Sequence, residues 1–573
     1  MKKYIVTTFI LLSVCSLQAQ VVDTAYFRVD YTPKLMAFKK QNQQAEVQDT
    51  TNEKVEFTYY IVPQRVDVSF EPSVIKFNKV TPDISNRLYR NYLKAGFGYP
   101  LTPLLEFSFH NLQSKKYSFG LNVHHFSSWA PPIGKIMKEY ANYPTSDTRA
   151  HVFFKRFFKN QTFYSSIGYN HEAARFYGFK INEFPLSNKK DSLKNNFHHL
   201  NAAIGLASNY VLEEKKLKQD VRLNYDFLQT NWKDMENHLG VNAFLAYDIR
   251  WLKISGSQNY RFNLDFDYYN NKWQDLSASR NAYVFNPEFI ANFTIKEYHI
   301  LVGLGGVVNT YQGKTDGTIY PIAELQLGVI PSILSIYAGV TGDVKYNSFK
   351  DLLYENPFIK PHLDTLCSTT NFISIYGGVK GNLVKKLNYN VSARYNYSKN
   401  LAFFVTDTLC AARNQFDVVY HDGNVLNVCL DMNWEILKNL NLNFDANYWL
   451  YLLKDKAIPW HKPILEFSFN GQYILKEKWA FDLNFNLGFG RKALVYDSEE
   501  LVYKTKIMKP ILDFGVGVEY FINDRFSAFA TINNLACQYY SKYYDFKNLG
   551  INAMVGITYA FGGDSIKKSK INK

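Results

Sequence analysis

The chain reads as an all-β protein: a transmembrane antiparallel β-barrel of about twenty-two strands, with a short N-terminal segment outside the barrel. Three observations predict this. First, apolar and polar residues alternate with period two, as in Phe481, Leu483, Phe485, Leu487 and Phe489 against Asp482, Asn484, Asn486 and Gly488, which describes strands with one oily and one polar face. Second, 17% of the 573 residues are aromatic, yet past the N-terminus no stretch reaches the roughly 18–20 uninterrupted apolar residues of a membrane-spanning helix. Third, short and long polar connections alternate, the asymmetry expected of a barrel with tight turns on one side of a membrane and longer loops on the other. In hydrocarbon every backbone group must be bonded internally, and a closed sheet achieves that without a helix.

Residues 1–19 read as a signal peptide, with Lys2 and Lys3, an apolar run from Tyr4 to Val14, and Ser16-Leu17-Gln18-Ala19 before the cleavage point. Leu12-Ser13-Val14-Cys15 departs from a lipoprotein box at the bulky Val14. Residues 20–89 differ in composition from the rest of the chain. Gln41 to Glu56 is polar and without period, so it reads as a linker, and the whole segment is expected on the periplasmic side or in the barrel mouth. Residues 90–561 are assigned to the barrel and 562–573 to a periplasmic tail.

From Arg90 the strands succeed one another in order. Leu93, Ala95, Phe97 and Tyr99 form the first oily face, ended by Pro100 to Pro103; Leu105, Phe107 and Phe109 begin the second, and Tyr117, Phe119, Leu121 and Val123 form the third. A polar loop, 127–148, comes next. Short turns then recur at 159–160, 211–218, 253, 296–297, 331–332, 385–386, 438–439, 476–478 and 523–524. Between them lie longer connections near 175–195, 231–236, 270–277, 312–318, 347–369, 408–416, 454–461, 493–503 and 542–548. Counted from a first strand that leaves the periplasm, the number of strands is even, so the C-terminus returns to the side it started from.

The net charge of +14 is spread over turns, loops and inward positions, with no basic helix or aromatic stacking module, so nucleic acid is excluded as a partner. The inward polar set comprises Glu106, Arg261, Asp265, Asp267, Asp343, Lys345, Arg394, Asp431, Asp445, Glu466, Asp482, Asp513 and Glu519. These residues form either a solute-binding wall or a structural lining in which opposite charges on neighbouring strands brace a wide barrel. His124-His125 and His198-His199 cannot chelate one ion from a single regular strand, because adjacent residues point to opposite faces. Neither a phosphate loop nor a nucleophile elbow occurs in a supporting context. No catalytic, metal or cofactor site is expected, and the protein is not expected to be an enzyme.

The C-terminal strand, Gly556-Ile557-Thr558-Tyr559-Ala560-Phe561, resembles the terminal strand of bacterial outer-membrane barrels. That likeness implies an assembly signal at Gly556, Tyr559 and Phe561, read by the barrel assembly machinery, with both aromatics facing lipid at the interface. The last two strands, through Ala528-Phe529-Ala530-Thr531-Ile532-Asn533-Asn534-Leu535, Tyr539-Tyr540 and Gly550, resemble the C-terminal end of TonB-dependent receptors, the 22-stranded transporters of the Gram-negative outer membrane. The resemblance implies an outer-membrane barrel in contact with lipid and passing a solute, porin-like or by transport. It departs from the family before the barrel, where about seventy residues stand in place of a full plug. Val21-Val22-Asp23-Thr24 is only a faint likeness to the TonB-binding box, so TonB-independent activity is expected. The alternative function is a structural barrel subunit of a larger outer-membrane assembly, its N-terminal segment docking periplasmic or lipoprotein partners.

Asp-Thr-Leu-Cys occurs twice, ending at Cys367 and Cys410, in consecutive outer loops that are neighbours on a barrel rim. Cys429 falls in register with the lumen and Cys537 lies far along the chain. A Cys367–Cys410 disulfide is therefore the candidate bridge, with two free thiols as the alternative.

Overall fold

The computed structural model describes residues 89–563 apart from 112–113, 130–143, 179–192, 210–216, 250–251, 253–255, 275–279, 312, 385, 411, 498–499, 501 and 549. The expected signal peptide, the segment 20–88 with Val21 to Thr24, and residues 564–573 lie outside the described residues.

The 22 strands form one antiparallel sheet in which each strand pairs with the strands before and after it. The first strand, Asn91–Tyr99, closes onto the last, Asn552–Phe561, with Asn91 opposite Phe561 and Tyr99 opposite Ala553. Every barrel strand has a partner on each side, the condition for a sheet in hydrocarbon, although Lys314–Ile330 reaches past its pairing with Leu334–Tyr346, which begins at Ala323. Both ends of the barrel chain lie at the short-turn end.

Three stretches depart from the expected connections. Residues 314–318 belong to a strand, because Tyr311 faces Lys314 across a tight hairpin in which Gly313 takes φ 75°. The connection near 493–503 is a two-stranded ribbon, Lys492–Asp497 against Val502–Ile507, outside the barrel sheet; the barrel resumes when Ile511–Phe521 pairs with Trp479–Phe489. The polar stretch 347–369 contains a helix, Phe349–Glu355, with Ser348 accepting from the Asp351 N–H as its N-cap.

The register separates the two faces as the alternation requires. Outward, Phe97, Ile167, Phe289 and Ile319 are 57%, 60%, 63% and 82% exposed, a belt that only lipid can cover. Inward, the wall is lined by amides, carboxylates and aromatics that lie flat over glycines. Tyr320 is the clearest case: its hydroxyl is 2.8 Å from Asn286 Oδ1 and 3.0 Å from Glu288 Oε1. Its ring fills the space over two neighbouring strands, where a Cβ at Gly305 or Gly342 would come within 2.3 Å or 2.7 Å of it.

Gly305→Val is therefore expected to destabilise the barrel by about 1–3 kcal/mol through overpacking, read as a lower denaturation midpoint in detergent. Gly317→Val, where the nearest atom is 4.0 Å away, should leave the midpoint unchanged. Equal losses in both variants would refute the packing of Tyr320.

Candidate functional site: a lumenal cavity beneath an outer lid

The connection 347–367 does not stand away from the rim. It folds inward, and its apolar residues Phe349, Leu352, Leu353, Ile359, Leu363 and Leu366 are all buried. They join one core with Phe197, Trp273 and Tyr346 on one part of the wall and Phe404, Phe416, Tyr543 and Phe546 on another. Ring contacts run through it, with Trp273 5.0 Å from Phe349 and Phe358 4.0 Å from Phe546.

Polar bonds fix both ends of this lid. At the helix N-terminus the buried Glu236 accepts from the Phe349 N–H at 2.7 Å and the Lys350 N–H at 3.2 Å, so a carboxylate satisfies two donors that the helix itself cannot. Lys350 reaches Asp226 at 3.2 Å, and the Tyr354 hydroxyl is 2.9 Å from His199 Nδ1. Farther round the barrel, Lys360 pairs with Asp417 at 2.8 Å, and the backbones of Phe358, Lys360 and Phe416 exchange bonds of 3.0 Å and 2.8 Å. Glu355, at the helix C-terminus, meets Lys462 at 2.5 Å and accepts from the Tyr543 hydroxyl at its carbonyl at 2.7 Å.

Under Glu355 lies a cavity of about 590 Å³, walled by Trp449, Tyr451, Trp460, Phe403, Lys462 and Arg491 among others. That volume is in the range of small-molecule sites, roughly 300–1,000 Å³. Arg491 is 3% exposed; its Nη1 donates to the carbonyls of Ser541 and Lys542, its Nη2 to that of Lys509, and its Nε has no partner. Among the described residues no carboxylate pairs with it. Beside it His461 is held neutral: Nδ1–H donates to the Phe404 carbonyl at 2.9 Å and Nε2 accepts from the Tyr544 N–H at 3.3 Å. Burial first, then the charges of Arg491 and Lys462, push its pKa down from 6.5 to about 4.

The residues of the expected inward set do not converge on one site. Only Glu466 reaches the cavity wall. The expected bracing by opposite charges is replaced by carboxylates bonded to neutral groups. Asp431 stands directly opposite Asp445, and the two accept from Asn390 at 3.2 Å and Ser468 at 3.2 Å respectively. Asp265 accepts from Asn242 at 2.7 Å, Asp343 from Asn371 at 2.8 Å, Asp482 from Gln472 at 3.0 Å, Asp513 from the Tyr540 hydroxyl at 2.6 Å, and Glu519 from Ser527. Arg261 and Arg394 lie over the rings of Phe244 and Tyr376. Among the described residues three of the set meet an ion-pair partner: Glu106 with His124 at 3.3 Å, Asp267 with His238 at 2.8 Å and Lys345 with Asp351 at 3.8 Å. A hydrated lumen removes the need for tight counter-ions, since exposed pairs contribute little.

The adjacent histidines part as expected: His124 turns to Glu106 and His125 to Thr148, His199 to Asp226 and His198 to Tyr169. The Cys367–Cys410 disulfide is a correction, because both are free thiols. Cys367 ends the inward-folded lid and gives its N–H to the Tyr420 hydroxyl, whereas the Cys410 thiol is held by Asn414 within its own turn at 3.3 Å.

Fold and site together define an outer-membrane β-barrel whose lumen is covered from outside by a folded lid, with a cavity between the two. Its fold is that of the TonB-dependent receptor barrels. Solved structures similar to it include the siderophore receptor PirA from Acinetobacter baumannii, with a TM-score of 0.62 at 10% identity over 82% of this chain and 80% of that one. The pyoverdine receptor FpvA from Pseudomonas aeruginosa bound to pyoverdine gives 0.63 at 10% identity over 83% and 79%. The FrpB iron transporter from Neisseria meningitidis gives 0.61 at 11% identity over 82% and 81%. No family model and no curated protein matches the chain.

Glu236→Ala leaves the Phe349 and Lys350 N–H groups buried without an acceptor, a loss of about 2 kcal/mol. Amide exchange over 349–353 should then accelerate roughly thirtyfold, while exchange in the barrel strands stays as it was. Unchanged exchange would show that the lid is not held there.

His461 predicts a pH dependence. An undocked His461 takes up a proton below about pH 6.5, whereas the docked one resists until about pH 4. Docking is therefore at full strength above pH 6.5 and weakens as pH falls toward 4, by about 3 kcal/mol at the acid end. Protection of the Tyr544 amide, corrected for intrinsic exchange, should fall over that window, and a constant protection factor would contradict the assignment.

Proposed function

We propose that this barrel takes a solute from outside the cell, first seats it in the cavity beneath the lid, and passes it down the lumen across the outer membrane. The observation that carries this reading is the cavity itself: a ring-lined space on the lumen wall, to which Glu355 of the segment that folds in from the rim contributes. The likeness to siderophore receptors and an iron transporter supports transport as the class of activity. Below the cavity the amide and carboxylate ladders, including Asp431, Asp445 and Asp482, offer a solute a wall of exchangeable hydrogen bonds. The rival reading, a subunit of a larger assembly, finds no support among the similar structures.

Gly556, Tyr559 and Phe561 are proposed as the assembly signal. Tyr559 is 39% exposed on the outward face, and its ring lies 5.2 Å from that of Phe561. Gly556 lies where a Cβ would strike the Ala95 carbonyl at 2.3 Å across the closing seam.

Transport is tested by reconstituting the full chain into liposomes and comparing it with a variant in which residues 349–366 are replaced by a short Gly-Ser linker. The lid should restrict passage, so small-solute flux through the variant should rise at least tenfold. Equal and negligible flux in both would overturn the reading.

A further inference from the structure

Lys462, Lys542 and Arg491 meet at the cavity, and the carboxylates on its wall are Glu355 and Glu466. Glu466 pairs with none of the three among the described residues. Glu355 belongs to the lid and holds Lys462 at 2.5 Å, while its carbonyl receives the Lys542 ammonium at 3.4 Å. Arg491 hydrogen-bonds to carbonyls alone, and the Glu466 carboxylate acts on it without a direct ion pair. A buried cation in this state is costly, and an anion placed beside it relieves the cost with strong, directional bonds. Around these cations Trp449, Tyr451, Trp460 and Phe403 give the cavity an aromatic lining, which suits a flat or cyclic body.

The two ends of the lid helix are held unequally. Glu236 is 2% exposed and bonds two backbone donors. The Lys462 and Glu355 side chains are 29% and 44% exposed, and a pair so open to water is easily displaced. The first is an anchor and the second a latch, and the latch shares its cation with the cavity.

We propose that the cavity binds an anionic, ring-bearing solute, an acidic saccharide or an aromatic carboxylate, whose charged group seats beside Arg491 and takes Lys462 from Glu355, freeing the C-terminal end of the lid helix. The proposal rests on the reading of this cavity as the first seat of the transported solute. A solute that competes with the lid for Lys462 binds the unlatched state better, and by linkage its occupancy shifts the lid toward that state. The helix then swings from its Glu236 end.

The test uses the full chain in detergent, titrated calorimetrically with trigalacturonate and with 4-hydroxybenzoate, against maltotriose and benzamide as neutral counterparts. One of the two anions should bind at least tenfold more tightly than its neutral counterpart, and which one does so identifies the source of the charged group. Saturation with that anion should accelerate amide exchange over 354–356 and leave 349–350 protected. Glu355→Gln, which removes the competitor, should tighten anion binding about threefold or more, whereas Lys462→Gln should weaken it about tenfold. These opposite signs do not arise from a general loss of folding. Failure of both anions to bind, neutral probes binding equally well, or weaker binding in Glu355→Gln would each overturn the proposal. Liposome flux is read separately: flux without anion preference leaves transport standing and refutes this site, while anion binding without flux supports the site and refutes transport.

Discussion

Closure of the first strand onto the last is the interaction on which everything else in this barrel depends. From Asn91 opposite Phe561 to Tyr99 opposite Ala553, the two strands supply each other with the backbone partners that lipid cannot. Closure fixes an even strand count once both ends lie on one side, and it holds each strand in a register where a slip of one residue turns its polar face to hydrocarbon. The penalty for that slip is large: a Lys or Arg facing lipid at the bilayer midplane costs about 2–4 kcal/mol. The same constraint explains why the ribbon Lys492–Asp497 with Val502–Ile507 stays out of the barrel sheet. Inserting one strand of it would break parity, and inserting both would displace the pairing of Trp479–Phe489 with Ile511–Phe521.

Inside the wall a different rule operates. Carboxylates such as Asp431 and Asp445 face each other and are satisfied by Asn390 and Ser468 in place of cations. Water can tolerate that arrangement, and a dry core cannot. Rings fill what the ladders leave open, as Tyr320 does over Gly305 and Gly342. At the outer end the lumen stops being wet: the lid brings Phe349, Leu352 and Leu353 against Phe197 and Trp273 and builds a true apolar core on the mouth of the barrel. The cavity lies at the border of these two regimes, so a buried Arg491 and a partly exposed Lys462 line the same space.

The barrel was legible in the sequence because one rule, period two, governs nearly every strand, and the strand count came from turns that obey the same geometry. The parting of His198 from His199 follows from the same period, His198 meeting Tyr169 and His199 meeting Asp226. The lid was not legible, because a stretch rich in polar residues between two strands has the composition of a loop. Its signal was present in Ser348, capping three residues before Asp351, with Leu352 and Leu353 directly after. The cavity left a fainter trace. Trp449 and Tyr451 continue the inward parity of Asn443, Asp445 and Asn447, so they are aromatics where the wet wall calls for polar groups. Arg491 left none, since a lone arginine after a glycine in a connection looks like any solvated charge. Its burial comes from Ser541, Lys542 and Lys509, which only the folded rim brings together.

The central claim is that the outer mouth is closed by a lid docked in a single position. It is tested most directly by a pulsed electron spin distance measurement between labels at Asp351→Cys on the helix and Ser332→Cys in a turn at the opposite end of the barrel, with the native cysteines replaced by Ser. In native outer membranes without added solute, a docked lid gives one narrow distance distribution, the same as in detergent. A broad distribution, or several populations of comparable weight, would mean that residues 347–367 do not close the barrel.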